Sequence, residues 1–113
     1  MAETNVYKIL YQGQLPAAAG TLATVGGGKG WIIRNITIVN TDTVSRTYTL
    51  WVASGGAGVA ATNQITPDAC SLATKEMDVY DDMFALNAAD TISGDASAAT
   101  VVTITITGDE VTY

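Results

Sequence analysis

The chain has 113 residues, of which 48% are apolar and only 14% are charged, with a net charge of −6 and no histidine. This length suits one domain. The charged fraction is low, because a soluble domain usually carries about 25% charged residues. Two explanations of the low charge stand open: a surface covered by partner proteins, and a neutral, threonine-rich surface in water. The five cations, Lys8, Lys29, Arg34, Arg46 and Lys75, are scattered, which argues against binding to nucleic acid or to an anionic membrane.

The first part of the chain predicts a short arm followed by β-strands. Residues 1–5 are polar, and we expect them to form a flexible N-terminal arm ahead of a single domain over residues 6–113. Val6–Gln12 alternates in the manner of a strand, and Thr21–Val25 predicts a shorter one. Gly26–Gly30 then predicts a flexible hairpin turn, because glycine adopts the backbone angles that tight turns need.

Trp31–Asn40 gives the strongest strand signal, because most of its apolar residues are β-branched. Strict alternation fails in this segment, since Ile33 falls on the face opposite to Ile36 and Ile38. A bulge near Arg34–Asn35 would return Ile33 to the same side as Ile36. We therefore predict a bulged strand at this position.

Arg46–Ala53 alternates cleanly, with Tyr48 and Leu50 on one face and Trp51 on the other. Together with the preceding strand it predicts a β-hairpin. If the face of Tyr48 fills the core, Trp51 points outward and becomes a candidate interface anchor. The alternative is that Trp51 packs inside the domain.

The second half of the chain predicts further short strands, at Ser71–Met77, Val79–Leu86, Thr91–Asp95 and Thr100–Thr107. No long window keeps the 3.6-residue apolar period of a helix. The fold class predicted is therefore all-β: a single-domain antiparallel β-sandwich or jelly-roll-like barrel of about eight short strands.

The sequence contains no recognisable catalytic set. Histidine is absent, which removes the commonest general base and the commonest metal ligand. Neither a Ser-His-Asp nor a Cys-His arrangement is possible, and Cys70 is expected to be a small buried residue. We predict that the protein is not an enzyme and needs no cofactor.

The acidic residues Glu76, Asp78, Asp81 and Asp82 lie close together in the sequence. Neighbouring carboxylates can share a hard cation, but this spacing differs from that of an EF-hand loop. We expect a solvated acidic segment and predict no metal site, although the sequence leaves a cation near Asp78, Asp81 and Asp82 open.

Secretion and membrane insertion are not indicated. Met1–Tyr11 lacks the basic start and apolar run of a signal peptide, and no stretch approaches the ~20 apolar residues of a membrane span. Cys70 is the only cysteine, so an intrachain disulfide is impossible and no oxidising compartment is implied. Synthesis in the cytoplasm is expected.

Several segments resemble small virion proteins of tailed bacteriophages. The resemblance covers most of the chain and runs over a first strand ending near Tyr11, Thr21–Val25, Trp31–Asn40, Tyr48–Val52, Ile65–Pro67, Leu86–Gly94 and Val102–Gly108. Where that family commonly has glycine before the aspartate of a turn, this chain has Ala89. The resemblance implies a jelly-roll-like sandwich that serves as a capsid decoration protein or a tail adaptor, usually as a trimer.

These observations lead to one functional expectation and two alternatives. We expect a capsid decoration (cement) protein that is made in the host cytoplasm and binds the outer shell of a virion. Its expected partners are the major capsid protein or other virion proteins, and its expected oligomeric state is a homotrimer. The alternatives are a tail, collar or baseplate adaptor, and a carbohydrate-binding sandwich with exposed aromatic residues near Trp31, Trp51 and Tyr80. The candidate interface residues are Trp51, Trp31, Tyr7 and Tyr11.

Overall fold

A computed structural model describes residues 4–55, 59–66 and 69–113, with only the backbone described at residues 61 and 82–84. Within these residues eight strands follow one another: β1 (Thr4–Gln14), β2 (Gly20–Thr24), β3 (Lys29–Asn40), β4 (Arg46–Ala53), β5 (Cys70–Leu72), β6 (Met77–Leu86), β7 (Thr91–Ala96) and β8 (Val102–Thr112). The helical structure of the described part is one 3-10 turn, Ala61–Asn63. The described residues contain no helix with the length and hydropathy that crossing a membrane requires.

The strands form two antiparallel, four-stranded sheets. Sheet A has the order β1-β8-β3-β6, and sheet B has the order β2-β7-β4-β5. One buried core joins their inner faces, with Ile36, Ile38, Ile104 and Ile106 from sheet A and Tyr48, Leu50 and Ile92 from sheet B. This strand order is that of an eight-stranded jelly roll, so the predicted all-β sandwich is confirmed.

The bulge predicted in the third strand is present. The register of β3 shifts between Ile33 and Asn35 on both sides. Arg34 is the extra residue against β8, whereas against β6 the two residues 82 and 83 lie opposite the single Arg34. Ile33 and Ile36 are both buried in the core as a result. Gly108 of β8 lies against this bulge, because a Cβ atom there would be 3.0 Å from the carbonyl carbon of Ile32 and 3.1 Å from the Arg34 nitrogen.

The predicted hairpin between residues 31–40 and 46–53 is wrong. β3 belongs to sheet A, whereas β4 pairs with β5 and β7 in sheet B. The connection instead crosses from one sheet to the other around Asn40, whose buried side-chain amide donates hydrogen bonds to the carbonyl oxygens of Val44 (2.9 Å) and Leu72 (3.1 Å). Asn40 therefore anchors the crossing.

The glycine-rich turn is also misassigned as a hairpin. Lys29 donates its backbone N–H to the Gly26 carbonyl at 3.3 Å, and Gly28 has a φ of +71°, so a tight turn forms. However, this turn joins β2 of sheet B to β3 of sheet A. It carries the chain across the sandwich rather than back along one sheet.

Most predicted strand limits change in the structure, and two of the changes alter how the chain is divided into segments. β1 begins at Thr4, and Thr4 and Asn5 of the predicted arm already pair with β8; residues 1–3 lie outside the described residues. The strand predicted over residues 71–77 ends at Leu72, because the chain turns through Lys75, which has a φ of +61°. β6 then starts at Met77.

Candidate functional site

The outer side of the two central strands of sheet B, β4 and β7, is buried by the chain itself. Its buried residues are Thr49, Trp51, Ala53, Thr91 and Ser93. The backbone N–H of Ala69 donates to the Thr49 side-chain oxygen at 2.9 Å, so part of the chain that follows β4 contacts this side. The exposed positions of this face are on the short edge strands, at Thr21, Thr24 and Ser71.

The outer face of sheet A remains open. Directly opposed residues of antiparallel strands share a face, so the register defines four rows across β1, β8, β3 and β6. We call these rows the open face: Gln14, Thr103, Val39, Met77; Gln12, Thr105, Thr37, Val79; Ile9, Thr107, Asn35, Asp81; and Tyr7, Asp109, Ile32, Ala85.

The open face is largely neutral and partly apolar. Its large apolar side chains, Tyr7, Ile9, Ile32, Met77 and Val79, are between 36% and 66% exposed. Thr103, Thr105 and Thr107 form a threonine column along β8, at the middle of the face. Apolar exposure of this extent on a rigid sheet is typical of surfaces that contact other proteins.

Both carboxylates of the open face have partners. Asp109 accepts a hydrogen bond from Arg34 at 2.9 Å, and Asp81 accepts one from Asn35 at 2.7 Å. The hydrogen bond from the Arg34 guanidinium holds the pKa of the Asp109 carboxyl below its ordinary value. The ion pair of Asp109 with Arg34 reduces the cost of covering that charge, and Asp109 is already only 7% exposed. Asp81 has the neutral amide of Asn35 as its partner.

The four predicted interface residues occupy different environments. Tyr7 is exposed on the open face, whereas Tyr11 pairs with Ile106 and packs partly against the core. Trp31 and Trp51 are only 7% and 8% exposed. Alternation placed Trp51 on the outer side of β4, but no strand pattern reveals that a later segment covers that side. An interface role for these residues stays a prediction, with Tyr7 offering the most side-chain surface.

The aromatic row expected of a carbohydrate-binding module is not formed by its three candidate residues. Trp31 is buried and donates its indole N–H to Glu110 at 3.1 Å. Trp51 is also buried. Tyr80 is partly buried, with its hydroxyl 2.6 Å from that of Tyr48. These three rings therefore present no continuous exposed stacking surface.

A polar cluster between the sheets joins β4 to β6. The buried Tyr48 of sheet B donates its hydroxyl to Asp78 of sheet A at 2.5 Å. A hydroxyl has a single proton to donate, so the 2.6 Å contact with Tyr80 makes Tyr80 the donor to Tyr48. The sequence missed this cluster because its two strands are about thirty residues apart, a separation that alternation within one strand does not bridge.

Burial makes the cluster a poor source of nucleophiles. Burial, with the carboxylate of Asp78 as hydrogen-bond acceptor, raises the pKa of Tyr48 far above its ordinary value. Burial likewise raises the pKa of Tyr80. Both phenols stay protonated over the pH range in which proteins function. We therefore interpret the cluster as a structural contact that holds the two sheets together.

These raised pKa values predict a loss of stability in alkali. In the unfolded chain both tyrosines ionise near pH 10, while the native fold keeps their protons. The stability is therefore unchanged below about pH 10 and falls as the pH rises above it. Tyrosinate absorbance followed together with circular dichroism measures this effect. Ionisation of all five tyrosines while the fold is intact would contradict the prediction.

The acidic segment does not gather into a cation site among the described side chains. Asp78 points inward to Tyr48, whereas Asp81 lies on the open face beside Asn35. They diverge because residues an odd number of positions apart on a strand point to opposite faces. Within residues 4–55, 59–66 and 69–113, no group of three potential metal ligands was found; the side chain of Asp82 is not described.

The comparisons with known proteins identify a shared fold. No protein-family model and no curated protein matches the chain. A protein of the Bacillus endospore appendages, described as disulfide-linked pili, is similar with a TM-score of 0.57 and 18% identity, over 99% of this chain and 91% of that chain. The Tobacco streak virus coat protein is similar with a TM-score of 0.52 and 10% identity, over 96% of this chain and 86% of that one. At such identities the likeness concerns the fold, which this chain shares with a pilus protein and a virus coat protein.

Proposed function

We propose that this protein is a structural component of a virion, specifically a capsid decoration protein that docks through the open face of sheet A onto the shell and bridges neighbouring capsid subunits. The observation that carries the proposal is the contrast between the sheets. The chain buries the centre of the outer face of sheet B, whereas it leaves large apolar side chains exposed on a neutral face of sheet A. The fold shared with a virus coat protein supports the proposal.

The side chains of the open face suit docking. Each threonine offers a methyl group to bury and a hydroxyl that can hydrogen-bond to a partner. The face is built on paired strands, so little backbone order has to be gained on binding. Weak contacts per copy are sufficient when many copies attach to one lattice, because multivalent attachment amplifies affinity.

The proposed partners are the major capsid protein or other virion proteins, and the proposed oligomeric state on the virion is a homotrimer. This structural role requires no catalysis, which agrees with the absence of histidine from the sequence. The two buried phenols with raised pKa values also fit a structural role.

A charge placed at the centre of the open face tests this function. Thr105 lies between Thr37 and Gln12 in the second row, so Thr105→Glu would bury an unpaired carboxylate under any docked shell. The binding partner in this test is the virus particle, purified from the source that encodes the chain. We expect the variant to bind these particles at least ~10-fold more weakly than the unaltered protein. Cosedimentation of the tagged protein with those particles measures this.

The matched control is Thr43→Glu, in the exposed turn between β3 and β4, which should bind like the unaltered protein. Sedimentation of the unaltered protein with filled capsids supports decoration. Sedimentation with isolated tails would refute decoration in favour of an adaptor. Binding to neither would refute the virion role.

A further inference from the structure

The β1 edge of sheet A is long and poorly protected. β1 has eleven residues and ends the sheet, so one side of its backbone has no strand partner among the described residues. Val6, Tyr7 and Ile9 are more than half exposed, and Lys8 is the only charged residue of the strand. An edge of this kind is a template for pairing with another chain, because its N–H and C=O groups remain available.

The opposite edge has a complementary character. β6 contains Asp78, Asp81 and Asp82 and no cation, while Met77 and Val79 are exposed on the open face. The edge strands of sheet B are shorter, with five residues in β2 and three in β5. Sheet A therefore has one weakly cationic edge and one acidic edge, both long enough to pair.

We propose that copies of this chain join head to tail, with β1 of one copy pairing with β6 of the next, so that sheet A continues across the subunit boundary. The inference concerns the two backbone edges of sheet A, whose residues Ile9 and Asp81 also border the open face. It rests on the proposed function only in requiring several copies side by side. Its partner is a second copy of the same chain.

The strand directions fit this junction. Each strand of sheet A is antiparallel to its neighbour, and the sheet has four strands, so β1 and β6 run in opposite directions. When two copies in the same orientation are placed side by side, β1 therefore meets β6 in the antiparallel sense. No subunit has to turn over, and the open faces of successive copies stay on the same side.

The register places the charged residues of the two edges near one another along the strands. In an unstaggered junction the rows continue, so Ile9 of one copy lies beside Asp81 of the next. Lys8, the cation of β1, precedes Ile9 and lies in the adjacent row, with Gly108, Ile33 and Phe84. That row is on the opposite face of the sheet from Asp81, so the two charges attract across the junction without forming a direct ion pair.

Charge argues against the two symmetric junctions. Pairing of two β6 edges would bring their aspartates together, and like charges across an interface are costly. Pairing of two β1 edges would bring their lysines to one junction and leave the acidic edge without a partner. A head-to-tail contact closes into a ring when successive copies are rotated relative to one another and extends as a filament when they are not; the proposed trimer requires the rotated arrangement.

Charge reversal at each edge tests the junction. Lys8→Glu makes β1 repel β6, and Asp81→Lys makes β6 repel β1, so we expect each variant alone to associate at least ~10-fold more weakly than the unaltered chain. A 1:1 mixture should reassemble, since β6 of the first variant can pair with β1 of the second. Sedimentation equilibrium combined with light scattering measures the association.

The controls separate folding from association. Lys8 is an exposed residue that approaches Glu110 at 3.4 Å, and Lys29 stays 3.6 Å from the same carboxylate in the variant; thermal unfolding verifies that the variants fold. Ile9→Glu is a second β1 variant for the same measurement. Val44→Lys, at an exposed position outside both edge strands, should associate like the unaltered chain.

Two results would overturn the inference. One is an unaltered chain that stays monomeric at high concentration. The other is loss of association with Lys8→Glu or Ile9→Glu but not with Asp81→Lys, which indicates pairing between two β1 edges. An unaltered monomer that still sediments with capsids would refute head-to-tail joining and leave the proposed function intact.

Discussion

Replacing Gly108 by alanine is expected to lower the free energy of unfolding by about 3 kcal/mol, the upper end of the range for overpacking a well-filled site. The bulged backbone of β3 lies directly on Gly108, and the added methyl group would be 3.0 Å from the Ile32 carbonyl carbon and 3.1 Å from the Arg34 nitrogen. Backbone atoms cannot rotate away as the end of a side chain can. The strand itself has to shift.

The effect extends to the core because the bulge orients two of its residues. Ile33 and Ile36, on either side of the register shift, are 1% and 0% exposed, so any movement of β3 disturbs their packing. Equilibrium unfolding in urea measures the loss. Gly27→Ala is the matched control, since no atom lies within 4 Å of a Cβ at that position. If Gly108→Ala unfolds within about 0.5 kcal/mol of the unaltered protein, the bulge is not held by this contact.

The second large effect is expected for Tyr48→Phe, at about 2 kcal/mol. The change removes the hydroxyl that donates to Asp78 at 2.5 Å and lies 2.6 Å from Tyr80. Losing a hydrogen bond to a charged group costs about 1.5–3 kcal/mol, and more when the remaining group has no other partner. Since Tyr48 and Asp78 belong to different sheets, the loss falls on the packing of one sheet against the other.

A double-mutant cycle identifies the source of this effect. Tyr48→Phe, Asp78→Leu and the double variant are compared by urea unfolding, and we expect the double variant to be more stable than the sum of the two single losses implies. Tyr7→Phe, at an exposed position, is the control and should change stability by less than about 0.5 kcal/mol. Strict additivity in the cycle would show that the two side chains are not coupled.

Much of the strand content was readable from local patterns. The alternation of Arg46–Ala53 gave β4 with its observed limits. The broken alternation of β3 predicted its bulge, because an isoleucine on the wrong face needs an extra residue to reach the core. The spacing of the acidic segment argued against an EF-hand loop, but it did not reveal that Asp78 points inward to Tyr48 while Asp81 lies on the open face.

The assignment of strands to sheets depended on distant contacts. Two neighbouring strand signals suggested a hairpin, but Asn40 holds the intervening turn against Leu72, more than thirty positions away. The meeting of Tyr48 with Asp78 likewise involves strands that are far apart in sequence. Pairing with residues outside the local segment is not encoded in the local alternation pattern.

Apolar alternation therefore established that this chain forms half-buried strands, because the side-chain period of two is a property of each strand alone. The jelly-roll order, the covered face of sheet B and the open face of sheet A were decided by tertiary structure. The physical reason is that alternation marks a side of a strand for burial but does not specify what buries it. The candidate docking surface follows from which faces the rest of the chain reaches.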